Sequence, residues 1–145
     1  MRIVLILLAI MLSINVSAQI KLDENQIVEL KEIGSLACAE GKKSFINYHS
    51  GKEKFYWTYR DENETVKTKY ESITFYGSDD YHQLRDWIFE HLGSGEILEI
   101  QLGQSDLSIH FDKNNMAIAH DENGEHIGNI RIDNSQVKEL FQPAN

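Results

Sequence analysis

Six histidines and a single cysteine are the residues of this chain best suited to hold a metal or to act as base or nucleophile. None of the histidines stands in His-x-His, His-x-x-x-His or His-Glu-x-x-His spacing, so neither a strand nor a helix presents two imidazoles by periodicity alone. His120 and His126 are the pair with a geometric case. Strands flanking a three-residue loop, Glu122-Asn123-Gly124 with Gly124 left-handed, set His120 across from His126 and Met116 opposite Ile130. A two-residue Asn123-Gly124 loop would turn Ile130 and Ile132 to the other face unless a bulge intervened. Two imidazoles beside Asp121 or Glu125 would suit a metal or a pH-sensitive pair, whereas zinc needs at least three protein ligands and no third is defined. The plainer alternative is a polar pair beside a turn. The expectation is no metal and no cofactor, with His120 and His126 the candidates if one binds.

Other patterns resolve into structural chemistry. Asp112-Lys113-Asn114-Asn115 and Asp121-Glu122-Asn123-Gly124 are oxygen-rich, but neither continues to the twelfth-position Glu of a calcium loop. Ser78-Asp79-Asp80 reads as a helix start in which Ser78 caps and two carboxylates complement the dipole. No helix follows Gly93-Ser94-Gly95 to make it a phosphate cradle, and Gly-x-Ser-x-Gly is absent. Cys38, in Leu36-Ala37-Cys38-Ala39, is expected to be buried at a helix end, the alternative being an intermolecular bridge. No catalytic residue is expected.

Residues 1–18 read as a cleavable export signal. Arg2 supplies the positive start, Ile3 to Leu12 an apolar run, and Val16-Ser17-Ala18 the small-residue cleavage stretch, placing the cut between Ala18 and Gln19. A run of ten is short of the roughly 20 residues that cross a bilayer. Gln19, not cysteine, is the first mature residue, so the reading is a periplasmic or secreted protein and not a lipoprotein, with residues 19–145 a single domain.

The chain carries a formal charge of −9, and loss of Arg2 makes the mature form −10. Residues 42–69 hold seven Lys/Arg against four Asp/Glu, whereas 70–145 hold four against fourteen. An acidic body repels nucleic acid and anionic membrane, which argues against both as partners.

The elements expected to position these groups form an α+β domain: an antiparallel sheet of about seven strands as two meanders, in the order α-βββ-α-ββββ-α, with helices packed on the sheet. Asp23 caps a first helix, whose apolar face is Ile27, Leu30, Ile33, Gly34 and Ala37 and whose stop is Gly41. Strands follow at Ser44–His49, Lys52–Arg60 and Thr65–Tyr76. A Glu62-Asn63 turn sets Tyr59 against Val66, Trp57 against Thr68 and Phe55 against Tyr70. Phe45 and Tyr56 fall on the face opposite Trp57, and Lys69 stands across from Tyr56 with Lys67 beside it. After the second helix (Tyr81, Leu84, Trp87, Ile88, His91, Leu92), a loop from Gly103 to Asp106 sets Leu102 against Leu107 and Ile100 against Ile109. Met116, Ile118 and His120 then share a face, and Asn134 or Ser135 caps a last helix around Val137–Phe141. This order resembles the secretion-chaperone fold and the roadblock/profilin-like folds, and the resemblance implies binding rather than catalysis.

Three functional expectations follow. The first is a non-catalytic protein-binding module, such as a periplasmic immunity or inhibitor protein, using Phe45, Tyr56, Lys67 and Lys69 or the acidic 70–145 surface. The second is a small-molecule carrier with a helix–sheet pocket lined by Trp57, Trp87 and Tyr70. The third is a small hydrolase, for which no convergent His and carboxylate set is visible. Oligomeric state and the identity of the partner are not encoded in any motif.

Overall fold

A computed structural model describes residues 30–63 and 69–143. Four strands form a first antiparallel meander: β1 (Leu30–Cys38), β2 (Gly41–His49), β3 (Lys54–Arg60) and β4 (Tyr70–Tyr76). Helix α1 (Ser78–His91) leads to a second, with β5 (Ile97–Leu102), β6 (Ser105–Phe111), β7 (Asn115–Glu122) and β8 (Glu125–Asp133), and α2 (Asn134–Leu140) closes the order. The expected single sheet of about seven strands is thus replaced by two sheets of four. The order α-βββ-α-ββββ-α gives way to ββββα twice over, which removes the basis for the resemblance to the secretion-chaperone and roadblock/profilin-like folds. No helix among the described residues is long and apolar enough to cross a membrane. The leader with its Ala18–Gln19 junction, the Asp23 cap and Lys67 lie outside the described residues.

The segment read as a first helix is a strand over Leu30–Cys38. Its apolar residues fit a 3.6 period, but Gly34 and Leu36 face Ile46 and Ser44 on the buried side of the sheet. A Cβ on Gly34 would lie 2.0 Å from the carbonyl oxygen of Leu140, so this position lets α2 sit directly on β1. Cys38, at the end of β1, is exposed rather than buried, because it belongs to a strand end and not to an inward helix face.

Register in the β3–β4 hairpin also differs from expectation. Phe55 opposes Phe75, Trp57 opposes Ile73 and Tyr59 opposes Glu71. Pairing Phe55 with residue 75 instead of 70 is an odd shift, which moves Tyr70 from the core side to the outer side. The gain is burial: Ile73 and Phe75 are both inaccessible, and Phe55, Phe75 and Tyr81 of α1 stack with near-parallel rings. In the second sheet the strand positions and inward faces follow the expected alternation. The β5–β6 turn is two residues rather than four, pairing Leu102 with Ser105, Ile100 with Leu107 and Leu98 with Ile109. Slipping by two preserves the face.

Inner faces of both sheets and both helices share one core. Trp57 meets Phe141 just beyond α2 edge-on at 5.0 Å, and Trp87 of α1 meets Phe111 at 5.6 Å. Trp57 Nε1 donates to Ser44 Oγ at 3.0 Å, and Ser44 Oγ donates to the Thr58 carbonyl at 3.0 Å, so the buried indole N–H is satisfied. Tyr81 donates to the Gln142 carbonyl at 2.6 Å, and burial pushes its phenol up to about 12.

Candidate interface on the outer face of the first sheet

Strand alternation sends Phe45 and Asn47 of β2, Lys54, Tyr56, Thr58 and Arg60 of β3, and Tyr70, Ser72, Thr74 and Tyr76 of β4 to the side away from the core. Across the rows, Phe45 opposes Thr58 and Tyr56 stands between Asn47 and Thr74. Tyr70 is 37 % exposed and Tyr76 56 %, and with Phe45 and Tyr56 they put four rings on one face. Each aromatic is matched with a cation. Lys54 Nζ lies 4.9 Å from the Tyr56 ring and 5.4 Å from Tyr76; Lys42 Nζ is 5.4 Å from Phe45; the Arg60 guanidinium is 5.4 Å from Tyr70. Contacts of this kind contribute about 0.5–1 kcal/mol when exposed and more when water is excluded.

Hydrogen bonds fix the Arg60 end. Arg60 donates to the Tyr70 hydroxyl at 3.1 Å and the Glu40 carbonyl at 3.2 Å, and pairs with the Glu40 carboxylate at 3.3 Å. Tyr70 in turn donates to the Lys42 carbonyl at 2.9 Å, and its ring meets Phe45 edge-on at 5.9 Å. Lys42 pairs with Glu32, whose carboxyl this hydrogen bond holds below its ordinary range. In the middle of the face Thr58 and Ser72 hydroxyls lie 2.8 Å apart. The surface therefore presents rings, hydroxyls and cations in a preset arrangement. It is about 10 Å across the two spacings that separate β2, β3 and β4 and about 20 Å along β3, a patch of about 200 Å² within the roughly 800 Å² that one partner of a standard interface contributes.

Among the residues singled out from sequence, Phe45 and Tyr56 do share this face. Lys69 does not stand across from Tyr56. Thr74 occupies that position, and the Lys69 amine lies 3.3 Å from Glu71 Oε1. The cations that complete the face are Lys42, Lys54 and Arg60, all within the basic 42–69 segment, whereas Tyr70 and Tyr76 join it only through the β3–β4 register, which differs from expectation. The Lys54-x-Tyr56 spacing was the available signal, since residues two apart on a strand share a side.

The outer face of the second sheet carries no Tyr, Trp or Phe among the described residues, although Ile97 is exposed at one end of the row Ile97, His110, Ala117 and Arg131. Ser108, Ala119 and Asn129 run across its centre, with Glu99, Asp106 and Asp121 around them.

His120 and His126 are not opposed. Asn123-Gly124 makes a two-residue turn with both residues at positive φ, Glu122 pairs with Glu125, and a bulge between His120 and Asp121 restores the inward facing of Ile130. His120 therefore opposes Gly128, and His126 opposes Asp121, to which its Nδ1 lies 2.7 Å. Among the described residues no group of three His, Cys, Asp or Glu side chains is arranged to hold a metal ion.

His120 instead joins the two sheets. Its Nδ1 lies 2.8 Å from the Tyr59 hydroxyl, and its Nε2 lies 2.8 Å from Ser105 Oγ and 3.2 Å from Glu122 Oε1. Ser105 Oγ donates to Glu122 Oε1 at 3.0 Å. Burial, reinforced by the Glu71, Asp61 and Glu122 charges, raises the Tyr59 phenol well above its usual value, so it is a donor. One proton assignment satisfies all partners: Tyr59 O–H to Nδ1, Nε2–H to Ser105, and Ser105 O–H to Glu122. In it the imidazole gives a proton toward serine rather than taking one, opposite to the polarity of a serine nucleophile and its base. With Ser105 and His120 both about 1 % exposed, this is a clamp between sheets.

Compared with known protein families, curated proteins and solved structures, the chain matches none of them.

Proposed function

We propose that this protein is an exported, non-catalytic binding module that recognises a protein partner through the outer face of its first sheet. The carrying observation is that solvent-facing Tyr56, Tyr70 and Tyr76 are each overlaid by Lys54 or Arg60 on an otherwise solvated sheet. Tyrosine and arginine concentrate binding energy because they bring large contact area and directional hydrogen bonds at low entropic cost. Lys42 and Arg60 already pair with Glu32 and Glu40, so Lys54 is the cation that a carboxylate of the partner would meet. A periplasmic immunity or inhibitor protein is one form such a module takes.

The carrier reading has less support. Trp57 is sealed in the core against Phe141, Tyr70 lies on the outer face, and of the three residues only Trp87 borders a groove. A hydrolase would need its serine and histidine open to substrate and polarised the other way.

Affinity capture from the cell envelope, comparing wild type with Lys54→Glu/Tyr56→Ala and with Ser108→Arg, tests the proposal. A partner retained by wild type and Ser108→Arg but lost from the double variant is expected. Retention by the double variant with loss from Ser108→Arg would place recognition on the other sheet.

A further inference from the structure

Each four-stranded sheet has two edges, and the four are not treated alike. β1 is interrupted by register shifts after Glu32 and after Leu36, irregularities that discourage another strand from pairing. β8 is covered: Glu62 N–H donates to the Asn129 carbonyl at 2.9 Å, Asp61 accepts from Asn129 N–H at 2.9 Å, and Glu62 accepts from Arg131 N–H at 2.8 Å. At β4 the Thr74 carbonyl is met by the β5–β6 turn, where a Cβ on Gly103 would lie only 2.4 Å from it. β5 pairs with β6 without a register shift over its six residues and has no strand on its other side among the described residues.

Beside that open edge lies a groove of about 640 Å³. Leu84 and Trp87 of α1 line it together with Phe75, Ile100 and Leu102, and Asp80 and Gln83 border it on the helix side. A regular sheet edge running beneath a helix, with apolar side chains between them, is the arrangement in which an extended peptide adds as a strand. Among the described residues Asp80 is the one charged side chain lining the groove, and it belongs to a 70–145 segment that holds fourteen acidic residues against four basic. Lys54 overlies the lining Tyr76 on the β4 side, so a guest meets Asp80 by running along the helix.

We propose that this groove accepts an extended, lysine- or arginine-bearing segment of another polypeptide as a fifth strand on β5. Apolar side chains of the guest would meet Trp87 and Leu84, and a cation would face Asp80. The groove shares Tyr76 with the outer face of the first sheet, but Leu84, Trp87 and β5 lie outside that face, so protection of β5 amides is the readout that separates the two readings.

The probes are two capped heptapeptides, alternating Lys-Val and alternating Glu-Val, added to isotope-labelled protein. Amide exchange and chemical shifts are followed in β5 and at the Trp87 indole. The lysine peptide should slow exchange of those amides in Ile97–Leu102 that do not bond to β6, and should bind more tightly than the glutamate peptide. Asp80→Asn should weaken it about two- to fivefold, the effect of one exposed ion pair. Absence of β5 protection at millimolar lysine peptide, or changes confined to the outer face of the first sheet, overturns the proposal. Equal binding of both peptides at β5 overturns the charge assignment.

Discussion

Replacing Tyr59 by Phe isolates the clamp between the two sheets. The ring itself is fully buried and would keep its packing, so the substitution removes one hydroxyl and leaves His120 Nδ1, 2.8 Å away, without its donor. An unsatisfied buried acceptor costs about 1–3 kcal/mol, because the lone pair gives up water in folding and receives nothing in return. No cavity larger than one oxygen forms, so the packing contribution is small beside that loss. The expected destabilisation is therefore about 1–3 kcal/mol, or a fall in Tm of roughly 4 °C per kcal/mol for a chain of this size. Urea unfolding followed by tryptophan fluorescence measures it, provided the slope with denaturant is unchanged. Nitrogen chemical shifts of His120 in the wild type add a second readout, since the bond pattern requires a neutral ring with its proton on Nε2. A variant within about 0.3 kcal/mol of wild type, or a wild-type ring protonated at Nδ1, would refute the clamp.

Acidification should weaken the same junction. Burial depresses the His120 pKa, opposed by Glu122, Glu71 and Asp121, so between the folded and unfolded values the unfolded chain binds more protons. The His120 contribution is complete above the unfolded value of about 6.5 and is lost as pH falls toward the folded one; His120→Gln should flatten that part of the stability–pH curve, and an unchanged curve would contradict the assignment. Gly34→Ala should cost about 1–3 kcal/mol or more by driving α2 off β1, measured by the urea midpoint, because the added methyl would overlap backbone and not a movable side chain. Ser44→Ala should cost about 1–2 kcal/mol through the unpaired Trp57 indole, with thermal unfolding as the check.

How much of this was legible depended on whether local pattern or long-range contact decided each element. In β6 and β7, Leu107, Ile109, Phe111 and Met116, Ile118, His120 alternate cleanly, and one buried face suffices to fix them. Leu30, Ile33, Gly34 and Ala37 satisfy a helical period equally well as a strand with two register shifts. Contact between Gly34 and Leu140, more than a hundred residues away, tips that balance. The candidate interface was half visible for a related reason. Phe45 and Tyr56 follow from alternation within β2 and β3, whereas Tyr70 and Tyr76 depend on the length of the β3–β4 connection, which turn residues at Asp61–Asn63 did not reveal. The two-residue Asn123-Gly124 turn separates the two imidazoles by setting His126 opposite Asp121, and the bulge after His120 adds the one residue that returns Ile130 to the inner face.

Recognition on the outer face of the first sheet requires that face to lie against the partner in the cell. A photo-crosslinking amino acid placed at position 56, and separately at position 108, tests it in intact cells. One discrete covalent adduct is expected from position 56 and none from position 108. Adducts from position 108 alone, or none from position 56 across growth conditions in which the protein is made, would contradict recognition on that face.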